Sequence, residues 1–175
     1  FPGMKVLEFA FDARDSSGAN DYLPHKYPEN CVVYTGTHDN ETIAGWFDSI
    51  SDEERQAARD YLCDQLTPKE QLHKSFVSLA MRSVARTCII PIQDHLGLDN
   101  EHRMNQPSTV GKNWRWRVKK DMITDELSDN LLTLAKRYGR CNWAAVNLLE
   151  REALQKEEAA KAAKEAKESK ETEAE

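Results

Sequence analysis

The sequence predicts an α/β fold built on parallel strands. Three apolar runs rich in β-branched and aromatic residues, Met4 to Phe11, Cys31 to Thr35 and Cys88 to Ile92, read as buried strands. Two helix starts stand between the second and third runs. Strand, helix, strand, with strands apolar on both faces, is the pattern of parallel βαβ units covered by helices. An open doubly wound sheet and a barrel both satisfy it. Three strands cannot close a barrel of eight, so the barrel alternative places most of the cylinder outside this sequence.

Each helix has its own start signal. Ser51 and Glu54 stand at capping-box spacing, and Thr67, Pro68 and Glu70 form a second start with Pro at the first helical position. The helix after Pro68 lines up Leu72, Phe76, Leu79, Ala80, Ser83 and Val84 on one stripe, with Lys74 and Arg82 on its polar face. Residues 102–117 form a loop dense in Asn, Pro, Thr, Gly and Trp. Thr124 or Asp125 then caps a last amphipathic helix aligning Leu127, Leu131, Leu134, Ala135 and Tyr138, with Gly139 as terminator. From Arg151 onward eight Glu, five Lys, one Arg and seven Ala leave no apolar stripe, so this stretch reads as a solvated helix or a disordered tail. The expected division is 1–143 for the folded portion and 144–175 for the Ala/Glu/Lys-rich tail.

Composition narrows the function. The 175 residues begin at Phe1 rather than Met, which suggests a piece of a longer protein. A net charge of -6 supplies no basic footprint for phosphates, so no nucleic-acid partner is expected. No apolar stretch approaches the ~20 residues that span a bilayer, which predicts no membrane partner. Cys31, Cys63, Cys88 and Cys141 lie far apart, with neither metal-finger nor disulfide-framework spacing. Reduced thiols and no visible signal peptide give the expectation of a cytoplasmic protein. Nothing in the composition points to an oligomeric state.

Loops at the C-terminal edge of parallel strands hold function because the scaffold fixes their position. The first strand leads to Asp12, the second to Thr37, His38, Asp39 and Asn40, and the third to Asp94 and His95, all expected on one rim. Each has a plainer reading. Thr37 or Asp39 suits the cap of a helix starting near Glu41. Asp12 and Asp94 suit polar strand ends, or partners of a nearby Arg. His38 beside Asp39 also matches a metal-dependent His-Asp phosphohydrolase, although the other histidines show no ligand spacing. Trp114 and Trp116 fit either core aromatics or a platform for stacking a sugar ring.

Four segments, taken together in order and spacing, carry a more specific signal: GMKVLEFAFD from Gly3, YTGTHDNET from Tyr34, SVARTCIIPIQD from Ser83 and RMNQPSTVGKNWRWR from Arg103. Over Phe1 to Tyr138 the sequence resembles the amylomaltases, or disproportionating enzymes, a family of 4-α-glucanotransferases. The resemblance implies the last three strands and helices of a (β/α)8 TIM barrel, plus the charged tail. It implies transfer of α-1,4-glucan segments between maltooligosaccharides through a covalent glycosyl-enzyme with retained configuration, and no metal or organic cofactor. The nucleophile and the acid/base belong to earlier strands that this sequence lacks. Asp39 is similar to the family's third carboxylate, the transition-state stabiliser that holds the hydroxyls of the distorted sugar, and His38 to its neighbour. Asp12 and Asn105 resemble glucan-contacting positions, and Trp114 a candidate in the loop beside them; Phe9 and Phe11 are wall or core. Ser108 and Lys112 depart from the family's pattern, standing where small residues, commonly Gly, are expected. A non-catalytic carbohydrate-binding module is the alternative of another class.

Overall fold

The computed structural model describes residues 1–12 and 20–172, with side chains described as far as residue 162. Three short strands, β1 (Gly3–Val6), β2 (Cys31–Tyr34) and β3 (Thr87–Ile89), form one sheet in the order β1-β2-β3. Both pairings are parallel: Gly3 lies opposite Cys31 and Val6 opposite Tyr34, while Val32 to Tyr34 face Thr87 to Ile89.

The strands are shorter than the apolar runs that contain them. After Val6 the chain tightens into a 3-10 turn, Leu7–Phe11, that buries Leu7, Glu8, Ala10 and Phe11. An unbroken apolar run looks alike as strand and as buried helical segment, so periodicity concealed the change. β3 stops at Ile89 because Pro91 has no N–H for a ladder, and its fixed φ starts helix α4 (Ile92–Leu96) at the next residue. Nor are the strands apolar-buried on both faces. Cys31 and Val33 point into the core, whereas Met4 and Ile89, on the opposite face by alternation, are 58% and 45% exposed.

Helices α1 (Ile43–Ser49), α2 (Asp52–Leu62) and α3 (His73–Met81) connect β2 to β3. Ser51 and Glu54 close the expected capping box: Glu54 N donates to Ser51 Oγ at 3.2 Å and Ser51 N to Glu54 Oε2 at 2.9 Å. The helix start at Pro68 is more gradual, with a 3-10 turn at Lys69–Gln71 before α3. Leu72, Phe76, Leu79 and Ala80 are buried as their stripe requires, but α3 ends before Ser83 and Val84, and Ala85 enters the core in their place. Phe76 centres that core. The rings of Trp46, Phe47 and Phe11 stand 5.5, 6.0 and 6.1 Å from it, and burial of such a side chain contributes about 2–3 kcal/mol.

The described chain divides into two compact units, 1–134 and 135–175, the division falling inside helix α5 (Asp125–Arg137). Thr124 caps α5, its Oγ1 accepting from Leu127 N at 3.1 Å. Leu127, Leu131, Leu134, Ala135 and Tyr138 are the half-buried stripe. Beyond α5, Gly139 takes φ 66, with Arg140 N bonded to Ala135 O at 2.8 Å, the closure of a Schellman turn. Helix α6 (Trp143–Thr172) follows and contains most of the charged stretch, tied back to α5 by Lys136 and Glu150. Among the described residues no helix is long and apolar enough to cross a membrane.

Candidate functional site

The turn after β2 is built by the outer two residues of the Thr37, His38, Asp39, Asn40 segment. Asn40 Oδ1 accepts from Thr37 N at 3.0 Å and from Thr37 Oγ1 at 2.6 Å, while Asn40 N donates to Thr37 O at 3.2 Å. Asp39 N donates to Thr37 Oγ1 at 3.3 Å. Because Thr37 and Asn40 hold the turn, the His38 and Asp39 side chains project from it, about half exposed at 54% and 51%. Neither Thr37 nor Asp39 caps α1, as the plainer reading had it. Thr42 does so, its Oγ1 accepting from Gly45 N at 3.2 Å, so the capping requirement leaves the turn free for another task.

The loop that begins at Arg103 is stitched onto this turn. Asn105 Nδ2 donates to Asp39 Oδ1 at 2.6 Å and Asn105 N to His38 O at 3.1 Å, while Arg103 Nη2 donates to Asp39 O at 3.0 Å. His38 Nε2 lies 3.3 Å from Asp39 Oδ1. Both side-chain contacts of Asp39 fall on Oδ1, and among the described residues Oδ2 has no protein partner. Asn113 shapes the loop from inside, accepting from Gln106 N at 2.9 Å and donating to Thr109 O at 3.0 Å. Trp114 then sets its ring 5.0 Å from that of His38, the planes inclined by 40°. Its φ of 64 is left-handed, a strain of roughly 1–3 kcal/mol for such a residue, held here by Trp114 N donating to Met104 O at 2.6 Å. Ser108 also takes φ 64, so one of the two departures from the expected small residues falls where glycine would be unstrained.

A cleft of about 460 Å³ opens beside the turn, with Phe9, Asp12, Asp39, Glu41, Trp46 and Arg103 among its lining. Asp12 and Asp39 thus face one space. Phe11 is core and Phe9, 44% exposed, is wall. His38 lines a smaller pocket of about 230 Å³ with Thr37, Asn40 and Met104. Asp39, His38, Asn105 and Trp114 form one contiguous group, and Asp12 shares the cleft with Asp39.

Asp94 lies beneath that rim, at the floor of the smaller pocket that His38 lines. It is 1% exposed, its Oδ1 accepting from Ile43 N at 2.8 Å and its Oδ2 from Thr35 Oγ1. Burial pushes its carboxyl up to about 6, opposed by those two hydrogen bonds. His95 is partly buried, and burial followed by the neighbouring His73 holds its imidazole below the usual range.

Sequence reasoning missed Glu8 and Arg103. Glu8 is 6% exposed behind the turn; burial first, then Asp94 and Glu41, push its carboxyl up to about 9, with Arg103 and the nearby Asn40 side chain pulling the other way. Its signal was an acid inside an otherwise apolar run, where charged residues rarely sit unless paired. Arg103 Nη1 approaches Glu41 Oε1 at 4.0 Å. Among the described residues no group of three or more His, Cys, Asp or Glu side chains is placed to hold a metal ion, so the His-Asp phosphohydrolase reading finds no ligand set.

Residues 1–124 match the family model described as 4-alpha-glucanotransferase. A 4-alpha-glucanotransferase of Clostridium butyricum is 48% identical over 142 residues, which are 81% of this chain and 28% of that protein. A chloroplastic/amyloplastic 4-alpha-glucanotransferase of Solanum tuberosum is 43% identical over 142 residues, 79% of this chain and 24% of that one. Among solved structures, amylomaltase from Streptococcus agalactiae in complex with acarbose superposes with a TM-score of 0.74 at 38% identity, covering 81% of this chain and 28% of that chain. The chain therefore spans about a quarter of the length of the relatives it matches, and over that span it belongs to the 4-alpha-glucanotransferase family.

Proposed function

We propose that these residues form the C-terminal part of a (β/α)8 barrel that transfers α-1,4-glucan segments between maltooligosaccharides with retention of configuration. The same reading assigns 1–143 to the barrel and 144–175 to an appended tail. Two carboxylates on strands outside this chain serve as nucleophile and acid/base, and Asp39 supplies the third. One observation carries the reading: Asp39 stands just past the C-terminal end of β2 in a parallel sheet, with Oδ1 held by Asn105 and His38, and lines a cleft that Asp12 shares.

The chemistry follows from that asymmetry. As the glycosidic bond breaks, the sugar ring flattens toward an oxocarbenium ion and its hydroxyls shift. A carboxylate locked through one oxygen presents the other in a fixed place, where it grips the flattened ring more strongly than the relaxed one and so accelerates the step rather than only binding. His38 and Asn105 fix its direction and add donors of their own. Asp12 contacts a hydroxyl from across the cleft, and the Trp114 indole stacks on a sugar face.

Replacing Asp39 by Asn in the full-length protein keeps the shape and removes the charge. Disproportionation of maltotriose should then fall on the order of 10²-fold or more in kcat, the scale of losing one preorganised electrostatic contact. Near-normal turnover in Asp39→Asn would remove the role assigned to that carboxylate.

A further inference from the structure

One loop holds Asp39 at two points. Arg103 Nη2 donates to the Asp39 carbonyl at 3.0 Å, and Asn105 Nδ2 donates to its carboxylate at 2.6 Å. Two fixed points along a residue set the direction of its side chain, whereas one lets it swing. Arg103 is itself held at its base. It follows the 3-10 turn Asn100–His102, with Arg103 N donating to Asn100 O at 3.4 Å, and Asn100 in turn bonds Glu41 and the Thr42 amide. At its tip Nη2 meets Asp39 O while Nη1 lies 4.0 Å from Glu41 Oε1, so the guanidinium reaches residues on either side of Asn40. A planar fork can do this, and a lysine ammonium on a flexible stem cannot. The Arg103 side chain is only 18% exposed, and its Nε is buried without a hydrogen-bond partner among the described residues. An unpaired buried donor weakens a fold, and one kept in spite of that points to a task other than stability.

We propose that Arg103 is a positioning residue for Asp39: its guanidinium fixes the Asp39 main chain from the carbonyl side, so that the Asn105 contact aims the carboxylate at the cleft. The inference rests on the role given to Asp39 above. The turn's own bonds join Thr37, Asn40 and the Asp39 amide, and Arg103 takes the carbonyl that follows. Without it the Asp39 carboxylate keeps its Asn105 contact but turns about it. A plainer role is charge balance, since Arg103 is a cation beside the acid Glu41. The two roles separate cleanly. Charge balance asks only that cation and acid match in number, whereas positioning asks for the bond to Asp39 O whatever the charge at Glu41.

The test is a double-mutant cycle in the full-length protein, read as kcat and KM for maltotriose disproportionation. Arg103→Ala should lower kcat by about 30-fold with KM nearly unchanged, the size of loss that a small displacement of a catalytic group produces. In the Asp39→Asn background the same change should cost less than about threefold, because a residue acting through Asp39 has no charge left to aim. Adding Glu41→Gln to Arg103→Ala restores the charge balance and should leave kcat low. Should Arg103→Ala fail to fold, Arg103→Lys takes its place in the cycle, keeping the charge and giving up the fork, with a fall in kcat of about tenfold expected. Equal losses in both backgrounds, a change confined to KM, or recovery of kcat by Glu41→Gln overturns the proposal. A wild-type protein without disproportionating activity, or normal turnover in Asp39→Asn alone, overturns the functional reading instead, and the two failures are thereby distinct.

Discussion

At neutral pH Glu8 works against folding, and the sign can be followed. Its carboxyl titrates near 4.5 when the chain is unfolded and is pushed up to about 9 in the fold by burial and by Asp94 and Glu41. Between those values the folded state binds the extra proton, so stability falls as pH rises through that window and is complete only below it. Glu8→Gln removes the titration. Compared at about pH 5 and about pH 8, the full-length variant should lose less of its Tm than wild type does; identical losses would mean that Glu8 is ionised in the fold. The residue scale also marks what a sequence can carry. Asp39, His38, Asn105 and Trp114 were expected from the family resemblance that their motifs carry, whereas Arg103 meets the turn through a contact that joins residues far apart in the chain, and Glu8 faces Asp94, Glu41 and Arg103 in the same way. Asp94 was found and misplaced, since proximity to a strand end does not tell a rim from the core beneath it.

At the scale of elements, α1 matters most because it anchors the segment leaving the turn. It lies against the 3-10 turn Asn100–His102, where Asn100 Nδ2 donates to Glu41 Oε1 at 2.5 Å and Asn100 Oδ1 accepts from Thr42 N at 3.3 Å. Gly45 permits that approach, since a Cβ there would overlap the Asn100 side chain. Gly45→Ala should therefore destabilise the full-length protein by about 1–3 kcal/mol despite alanine's better helix propensity, the usual range for overpacking a tight contact. A Tm at or above wild type would show that Asn100 yields without loss. Capping boxes and Gly stops were legible because they are local, as Ser51 with Glu54 and Gly139 illustrate. Strand ends were not. Leu7 to Phe11 leaves the sheet although its composition suits a strand, and Pro91 ends β3 three residues earlier than hydrophobicity implied.

At the scale of the whole molecule, the parallel order of three strands was readable from the alternation of runs and caps, and the sheet bears it out. The choice between open sheet and barrel was not, because three strands fit both; the barrel enters through the family and is part of the proposal. On that proposal the 175 residues alone have neither nucleophile nor acid/base, and Met4 and Ile89 face solvent where further strands would cover them. The isolated chain should then show no transfer from maltotriose and a broad, non-cooperative denaturant transition. A sharp transition, or any disproportionation, would count against it.

The two outer strands have a further consequence. β1 and β3 each pair on one side only among the described residues, so each offers a row of main-chain donors and acceptors to any strand that arrives. In parallel pairing the free side of one copy matches the free side of the next. Made without its covering strands, the chain is thus a monomer unit that can extend from both ends, and high concentration favours fibrillar deposits with the roughly 4.7 Å repeat of stacked strands over soluble protein.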